Sequence, residues 1–360
     1  QQTWSGLFVH NDDGDTRSAA AVVGLPTFST QSHVSNDGGR EELTLPAGDA
    51  PLEMTVYLWR GLVREGEAFQ KFIQTVPPAE RSPEALAQAG PARWTPLTTR
   101  GQRGADTDFL AIDTLTVPYD NPFKALLFGS GVDVDPEGAV YFSTMHGDVW
   151  KITGVDAGLQ KLRWQRFATG LYQPLGLKVK AGQVYVLGRD RITRLHDTNR
   201  DGEADFYENF FDGIATSAGG HDYVTCLEVD DAGRFYYVDP VGLHRVEADG
   251  RRSETLATGF RNPNGMGVRP DGRVITAAPQ QGTWTPSSFI AEIRPGGYYG
   301  YGGPRPDPSR PLGYDAPLCW IPHGVDNSSG SQVWVPSGQW GPLGGQMLHL
   351  LWGRCGLMLV

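Results

Sequence analysis

The sequence predicts an all-β protein, a β-propeller carrying an inserted EF-hand-like calcium loop. Three observations lead there: a repeated two-strand phrase, turn residues between its strands, and one acidic twelve-residue loop. The phrase reads GVDVDPEGAVYFSTMHGDVWKI from Gly131, GLKVKAGQVYVLGRDRITRL from Gly176, CLEVDDAGRFYYVDPVGLHRV from Cys226 and GMGVRPDGRVITAA from Gly265. Its starts lie 45, 50 and 39 residues apart, the spacing of propeller blades. Apolar residues alternate at period two within each phrase, and P-E-G, P-D-G or A-G supplies a hairpin turn. A β-sandwich also uses short alternating strands, but a phrase repeated at blade spacing favours the propeller, with six blades in the complete ring.

Taken in order, residues 1–118 carry strands such as EMTVYLWRGL and DFLAIDTLTVP without the phrase. They read as a separate β module, or as a divergent blade with insertions. Helical periodicity is hard to find except near Pro83–Gln88. Residues 119–360 form the propeller, and GGQMLHLLWGRCGLMLV ends inside a blade, so the native chain is expected to continue beyond Val360.

Composition narrows the functions. The 360 residues contain 47 Gly and 26 Pro, with a net charge of −10. An acidic chain repels a nucleic-acid backbone, which excludes that class of partner, and no apolar run reaches the length of a membrane span. Cys226, Cys319 and Cys355 make no disulfide framework, and neither C-x-x-C nor C-x-x-C-H occurs.

The acidic loop is DTNRDGEADFYE, Asp197 to Glu208. Asp197, Asn199 and Asp201 would offer side-chain oxygens, Glu203 its carbonyl, Asp205 an oxygen directly or through water, and Glu208 a bidentate close. Gly202 permits the sharp turn, and hard oxygens at this spacing select calcium. The preceding QVYVLGRDRITRLH alternates like a strand, so the loop is expected between the strands of two blades. Its nearly filled shell suits a structural metal that staples an inter-blade connection.

Propeller ligands gather on the loops around the central channel, and three stretches qualify. In SAGGHDYVT, His221 could accept a hydroxyl proton, or be a turn histidine bonded to backbone. In GFRNPNGMGV, Arg261 offers a planar donor fork and Asn262 an amide, or the arginine bonds carbonyls between blades. PQQGTWTPSSFIAEIRPGGYYGYGGPRP reads as a long loop with stacking surfaces, or Tyr298, Tyr299 and Tyr301 simply pack. His146 with Asp148 occupies a blade-end loop, Arg189, Asp190 and Arg191 suggest an inter-blade ion-pair network, and His323 with Asp326 read as polar loop residues.

GFRNPNG, a D-G turn, a strand, a QG-bearing loop and PGGYYGYGG together resemble the soluble PQQ-dependent aldose and sorbosone dehydrogenase propellers. That resemblance covers residues 215–303, with weaker blade similarity over 120–360. From about Trp94 onward, RFATGLYQPLGL, VLGRDRITRLHDTNRDGEADFYENF and WGPLGGQMLHL also look like large secreted bacterial propeller proteins, labelled membrane-bound dehydrogenases or haem-binding proteins. The resemblance implies that His221 is the general base and Asp239 its orienting partner. It implies that Arg261 and Asn262 contact PQQ, with Arg354 a further cationic contact. The carbonyls of Gly282 and Thr283 would hold a catalytic calcium. Thr283 stands where the family has Pro, and TPSSF lacks the acidic pair that follows it in the sugar dehydrogenases. A sugar or polysaccharide substrate, an electron-acceptor protein and a periplasmic or extracellular site are implied with them.

Three functions meet these residues. One is a quinoprotein dehydrogenase acting on a sugar or other alcohol. Another is a polysaccharide lyase or hydrolase, in which Arg261 neutralises a uronate and His221 or a tyrosine moves protons. The third is a non-catalytic glycan- or protein-binding propeller stabilised by calcium.

Overall fold

The computed structural model describes residues 6–23, 33–37, 40–44, 48–49, 54–75, 84, 88–107, 110–216, 223–280, 282 and 284–360. The chain divides into two compact units, residues 1–89 and 90–360. In the first, β1 (Gly6–Asp13) pairs antiparallel with β2 (Thr16–Val23), β3 (His33–Asp37) with β4 (Arg40–Thr44), and β5 (Thr55–Leu62) with the other edge of β2. Helix α1 (Gly66–Thr75) follows, upstream of the helical signal read near 83–88. It forms because Phe69 and Ile73, one turn apart, bury together against Ala19 and Ala21 of β2.

The second unit opens with β6 (Leu97–Thr99). The chain then runs through β7 (Gly129–Val134), β8 (Val140–Thr144), β9 (Val149–Thr153) and β10 (Leu162–Ala168), whose outer edge β6 extends. A second sheet holds β11 (Gly176–Lys180), β12 (Gln183–Leu187), β13 (Ile192–His196) and β14 (Phe206–Phe211). A third holds β15 (Thr225–Val229), β16 (Phe235–Val238), β17 (Leu243–Val246) and β18 (Ser253–Thr258). Then come β19 (Met266–Val268), β20 (Ile275–Ala277), β21 (Ser288–Glu292), β22 (Gly297–Tyr298) and β23 (Cys319–Ile321). Of these, β22 crosses back to pair parallel with β18, and the other four form the fourth sheet. The last described sheet is β24 (Ser329–Trp334), β25 (Met347–Leu351) and β26 (Gly356–Leu359).

Apart from the added outer strands β6 and β22, each of these five sheets is an antiparallel meander, and the first strands β7, β11, β15, β19 and β24 lie side by side in that order. This is a β-propeller. The four sequence phrases supply the first strands of the first four sheets, as their spacing predicts.

Burial on both faces explains the apolar runs. Tyr236 and Val238 of β16 pack toward the fourth sheet with Met266, Ile275 and Phe289. Their neighbours Phe235 and Tyr237 pack the other way, onto Tyr185, Leu187 and Ile192 of the second sheet. Successive strand side chains point to opposite faces, so a run of four apolar residues serves two interfaces. Burying one such side chain contributes roughly 1.5–3 kcal/mol.

The compact units divide at 89/90, whereas the sequence alone places the boundary at 118/119. Residues 90–99 bind the propeller directly: β6 pairs with β10, the Arg166 guanidinium lies 4.4 Å from the Trp94 ring centroid, and Gln165 Nε2 donates to Trp94 O at 3.2 Å. A segment without the repeated phrase thus serves as the outer edge of the first blade.

Strand direction sorts the connections. Second-to-third-strand loops and the connections after β10, β14, β18 and β23 share one face, which we term the loop face. First-to-second-strand turns and third-to-fourth-strand connections lie on the other.

The inner strands approach closely enough to demand glycine. A Cβ on Gly265 would sit 1.5 Å from Gly330 O, and one on Gly176 would sit 2.6 Å from Leu227 N. Both obstacles are neighbouring backbone, which cannot rotate away. Gly265→Ala should therefore destabilise the propeller by about 3 kcal/mol, read as a lower denaturant midpoint; an unchanged midpoint would contradict the close approach.

Candidate functional site

The loop face collects most of the residues singled out from the sequence. After β18 the chain enters Gly259-Phe260-Arg261-Asn262, where Phe260 stacks on Tyr299 (5.1 Å, 15°) and Asn262 takes a left-handed φ of 40°. Ala278 N donates to Gly265 O (2.8 Å) and Gln280 N to Arg261 O (2.9 Å), so this turn is stitched to the end of β20. The Arg261 guanidinium is exposed and reaches Gln280 Oε1 at 3.5 Å. Gly282, two residues on, donates its N–H to Thr285 Oγ1 (2.8 Å).

The next loop joins the same patch. Gln280 Nε2 donates to Ser328 Oγ (3.0 Å), Trp352 N to Ser328 O (3.1 Å) and Arg354 Nη2 to Gly324 O (2.9 Å). Arg261, Asn262, Gly282 and Arg354 therefore stand on loops connected by hydrogen bonds. His221 and Thr283 lie outside the described residues.

The aromatic loop separates by role. Tyr298 and Tyr299 are core residues whose hydroxyls donate to backbone carbonyls, Tyr298 to Tyr301 O (2.8 Å) and Tyr299 to Glu292 O (2.6 Å). Tyr301 and Trp284 are each 51% exposed. A Cβ on Gly282 would meet Tyr301 Cδ2 at 3.8 Å, and one on Gly303 would meet Trp284 Nε1 at 3.5 Å. Two open aromatic surfaces thus flank the Gly282 segment.

Asp239 sits in the β16–β17 loop and is buried. Its observed partner is His244, whose Nε2 lies 2.7 Å from Asp239 Oδ1. His244 in turn stacks on Tyr237 (4.9 Å, 19°), and its Nδ1 lies 3.2 Å from Thr255 Oγ1. Asp239 also accepts from Val241 N (2.8 Å) and, at 3.1 Å, from Ala215 N on the connection that leads to His221. Burial alone would raise the Asp239 carboxyl, but the His244 hydrogen bond and charge together with these amides hold it below its usual range. His244 was not foreseen; its only sequence signal is a histidine two positions into a blade strand.

A parallel arrangement occurs in the first blade. Asp148, in the β8–β9 loop beside the exposed His146, accepts from Arg166 Nη2 and Thr169 Oγ1, both at 2.7 Å. Asp190 and Arg191 form a local pair at 2.8 Å, and Arg189 donates to Gln173 Oε1 at 3.0 Å. His323 is exposed, whereas Asp326 is fully buried.

The acidic loop is placed differently from the expectation. DTNRDGEAD joins β13 to β14, third and fourth strands of one blade, so it lies on the face opposite Arg261. Asp197 and Asn199 oxygens accept from Asp201 N (3.1 and 3.0 Å), Asp201 Oδ1 from Glu203 N (2.9 Å), and Asp205 Oδ2 from Thr198 N (2.8 Å). The Glu203 side chain is buried and binds Arg93, accepting from its backbone N–H at 2.7 Å. Glu208 is no part of this turn: it stands on β14 opposite Arg194, accepts from Arg194 Nε (2.6 Å) and lies 2.7 Å from His196 Nε2. Burial would raise its carboxyl, but the hydrogen bonds with His196 and Arg194 outweigh it and lower it. Among the described residues no three His, Cys, Asp or Glu side chains gather as a metal site. Of the ligands expected from the sequence, Asp197, Asn199, Asp201, Asp205 and the Glu203 carbonyl remain in the β13–β14 turn.

Comparisons with known proteins follow the fold. No protein-family model and no curated protein sequence matches the chain. Among solved structures it is similar to a glucose dehydrogenase (TM-score 0.52, 14% identity, covering 73% of this chain and 86% of that one). It is similar also to the soluble aldose sugar dehydrogenase of Escherichia coli, in its apo-form (TM-score 0.52, 11% identity, covering 74% and 86%). At these identities the likeness establishes a shared fold.

The lowered Asp239 carboxyl has a consequence for acid stability. Its contribution is complete above the ordinary carboxylate range and disappears as pH falls through its depressed value. Asp239→Asn should lower stability at pH 7 by about 3 kcal/mol and flatten the acid limb of the stability profile. A variant that loses stability with acid as steeply as the parent would overturn this assignment.

Proposed function

We propose that this propeller is a quinoprotein-like oxidoreductase that oxidises a sugar or other alcohol, with PQQ and calcium seated on the loop face. The observation that carries the proposal is the convergence of Arg261, Asn262, Gly282 and Arg354 on hydrogen-bonded loops, within a fold shared with sugar dehydrogenases. An exposed guanidinium fork beside a turn amide and backbone oxygens matches the donor and acceptor needs of a planar, carboxylate-bearing ligand. Arg261, Asn262 and Arg354 would hold such a cofactor, and the carbonyls of Gly282 and Thr283 its calcium. When bound, PQQ supplies the two-electron acceptor that the side chains of this chain lack.

The residues of the chain supply the rest. His221 takes the substrate hydroxyl proton as general base. Asp239, paired with His244, positions the connection leading to His221 through Ala215 N. Arg261 steadies negative charge on bound oxygens. Exposed Trp284 and Tyr301 offer faces on which a sugar ring can stack. The second calcium, held by Asp197, Asn199, Asp201, Asp205 and the Glu203 carbonyl, stabilises the β13–β14 hairpin on the opposite face. An electron-acceptor protein and a periplasmic or extracellular location belong to the same proposal.

Adding PQQ and calcium should produce dye-linked oxidation within a panel of aldoses and alcohols. Arg261→Ala should lower kcat/KM about 10²-fold, and His221→Ala roughly 10²- to 10⁴-fold. No activity across the panel, with no absorbance change on adding PQQ, would sink the redox reading. Glycan binding that survives both substitutions would then favour a non-catalytic binding propeller, for which Trp284 and Tyr301 suffice. For the hairpin, Asp201→Asn should remove one calcium-dependent part of the rise in melting temperature while leaving kcat/KM within about twofold, since such distant sites act additively.

A further inference from the structure

The connection before β24 contains a buried carboxyl group that makes no hydrogen bond among the described residues. Asp326 is fully buried, and among the described residues neither of its carboxylate oxygens has a hydrogen-bond partner. Two further groups share that condition: Ser329 Oγ, three residues along the chain, and His349 Nε2, on the strand paired with β24; both residues are fully buried. Asn327 Oδ1 turns toward the same place: a Cβ on Gly353 would lie 1.8 Å from it and 2.6 Å from Asp326 Oδ1. Buried carboxylates are otherwise paired or coordinated, because an uncompensated charge costs several kcal/mol.

Among the described residues no Lys or Arg forms an ion pair with Asp326. Gln332 Nε2 donates to Gly330 O (2.8 Å) and faces His349 Nδ1 (3.0 Å), while Gln332 Oε1 accepts from Thr276 Oγ1 (3.1 Å). That fixes the amide orientation, so His349 Nδ1 accepts and the ring proton sits on Nε2. His349 therefore presents a single ring N–H, at Nε2, on the side away from Gln332. Arg354, the cation on the adjoining loop, is exposed and donates to Gly324 O at 2.9 Å.

We propose that Asp326, with Asn327 Oδ1 and Ser329 Oγ, binds one small hard cation of the calcium or sodium class. The donors are all hard oxygens from one four-residue stretch, the chemistry that selects such ions over softer metals. The second carboxylate oxygen is left for the His349 N–H. Bound there, the ion fastens the connection before β24 to β25. It also lies one residue from Ser328, which receives the Gln280 amide beside Arg261. The site is separate from the β13–β14 hairpin and independent of any cofactor on the loop face.

The test uses the full chain stripped with chelator in a buffer free of sodium, with the hairpin disabled by Asp201→Asn. Melting temperature is followed as calcium or sodium is added. The D201N protein should gain about 5–10 °C more than D201N/D326N from at least one of the two at saturation, any calcium held by Gly282 and Thr283 being common to both. Equilibrium dialysis should count one ion lost between them. Should the double variant fail to fold, D201N/S329A keeps the carboxylate and should shift the titration midpoint about tenfold. No response to either ion in D201N protein would mean that the pocket holds only water between Asp326 and His349, and would overturn the proposal. So would an equal response in D201N/D326N, or an unmoved midpoint in D201N/S329A.

Discussion

Contact between the inner strands of successive blades is the constraint from which the rest of this propeller follows. A meander of four strands is stable only if both of its faces are covered, and each blade covers its neighbours. The faces meet at the ring axis, where backbone lies against backbone. That is why Gly176 and Gly265 have no room for a side chain. Farther out the blades diverge, and the gap is filled by larger groups such as Tyr185, Tyr236, Tyr237 and Phe289. One strand therefore reads as apolar throughout while its residues alternate between two interfaces.

The same geometry separates stability from chemistry. Antiparallel meanders send every second-to-third-strand loop to the face that also carries the inter-blade connections. Chemically capable residues from distant parts of the sequence meet there without strain on the blades. Carboxylates pin these loops: Asp148 to Arg166 and Thr169 in the first blade, Asp239 to His244 and Ala215 N in the third. Each charge is buried but fully bonded, and so orders its loop at little cost. The acidic hairpin serves the opposite face, where it is tied by Glu203 to Arg93 and by Asn199 Nδ2 to Gly90 O at 2.6 Å.

Histidines show how an apparent site residue changes meaning with its surroundings. His244 is buried beneath Tyr237 and engaged by Asp239, and His349 is buried and bonded to Gln332. Neither stood out in the linear chain, because each sits within an ordinary strand pattern. His323 stood out beside a loop aspartate, yet it is exposed while Asp326 is enclosed. Burial is set by the adjoining blade, and that blade is encoded up to dozens of residues away.

By itself the sequence determined the repeat. Period-two alternation and D-G or A-G turns are local physics, and they located the first strands of four blades and the Arg261-Asn262 turn. The local oxygen pattern of DTNRDGEAD was equally legible, since its turn bonds span at most seven residues. Helix α1 was not legible, because Phe69 and Ile73 form a helical face only once β2 is there to bury it. Only the tertiary structure decided that Glu208 belongs to Arg194 and His196 and that residues 90–99 edge the first blade. These pairings rest on strand register and blade neighbours. They are long-range choices that no window of the sequence contains, whereas the turns and alternations that build each blade are short-range and therefore written in the chain.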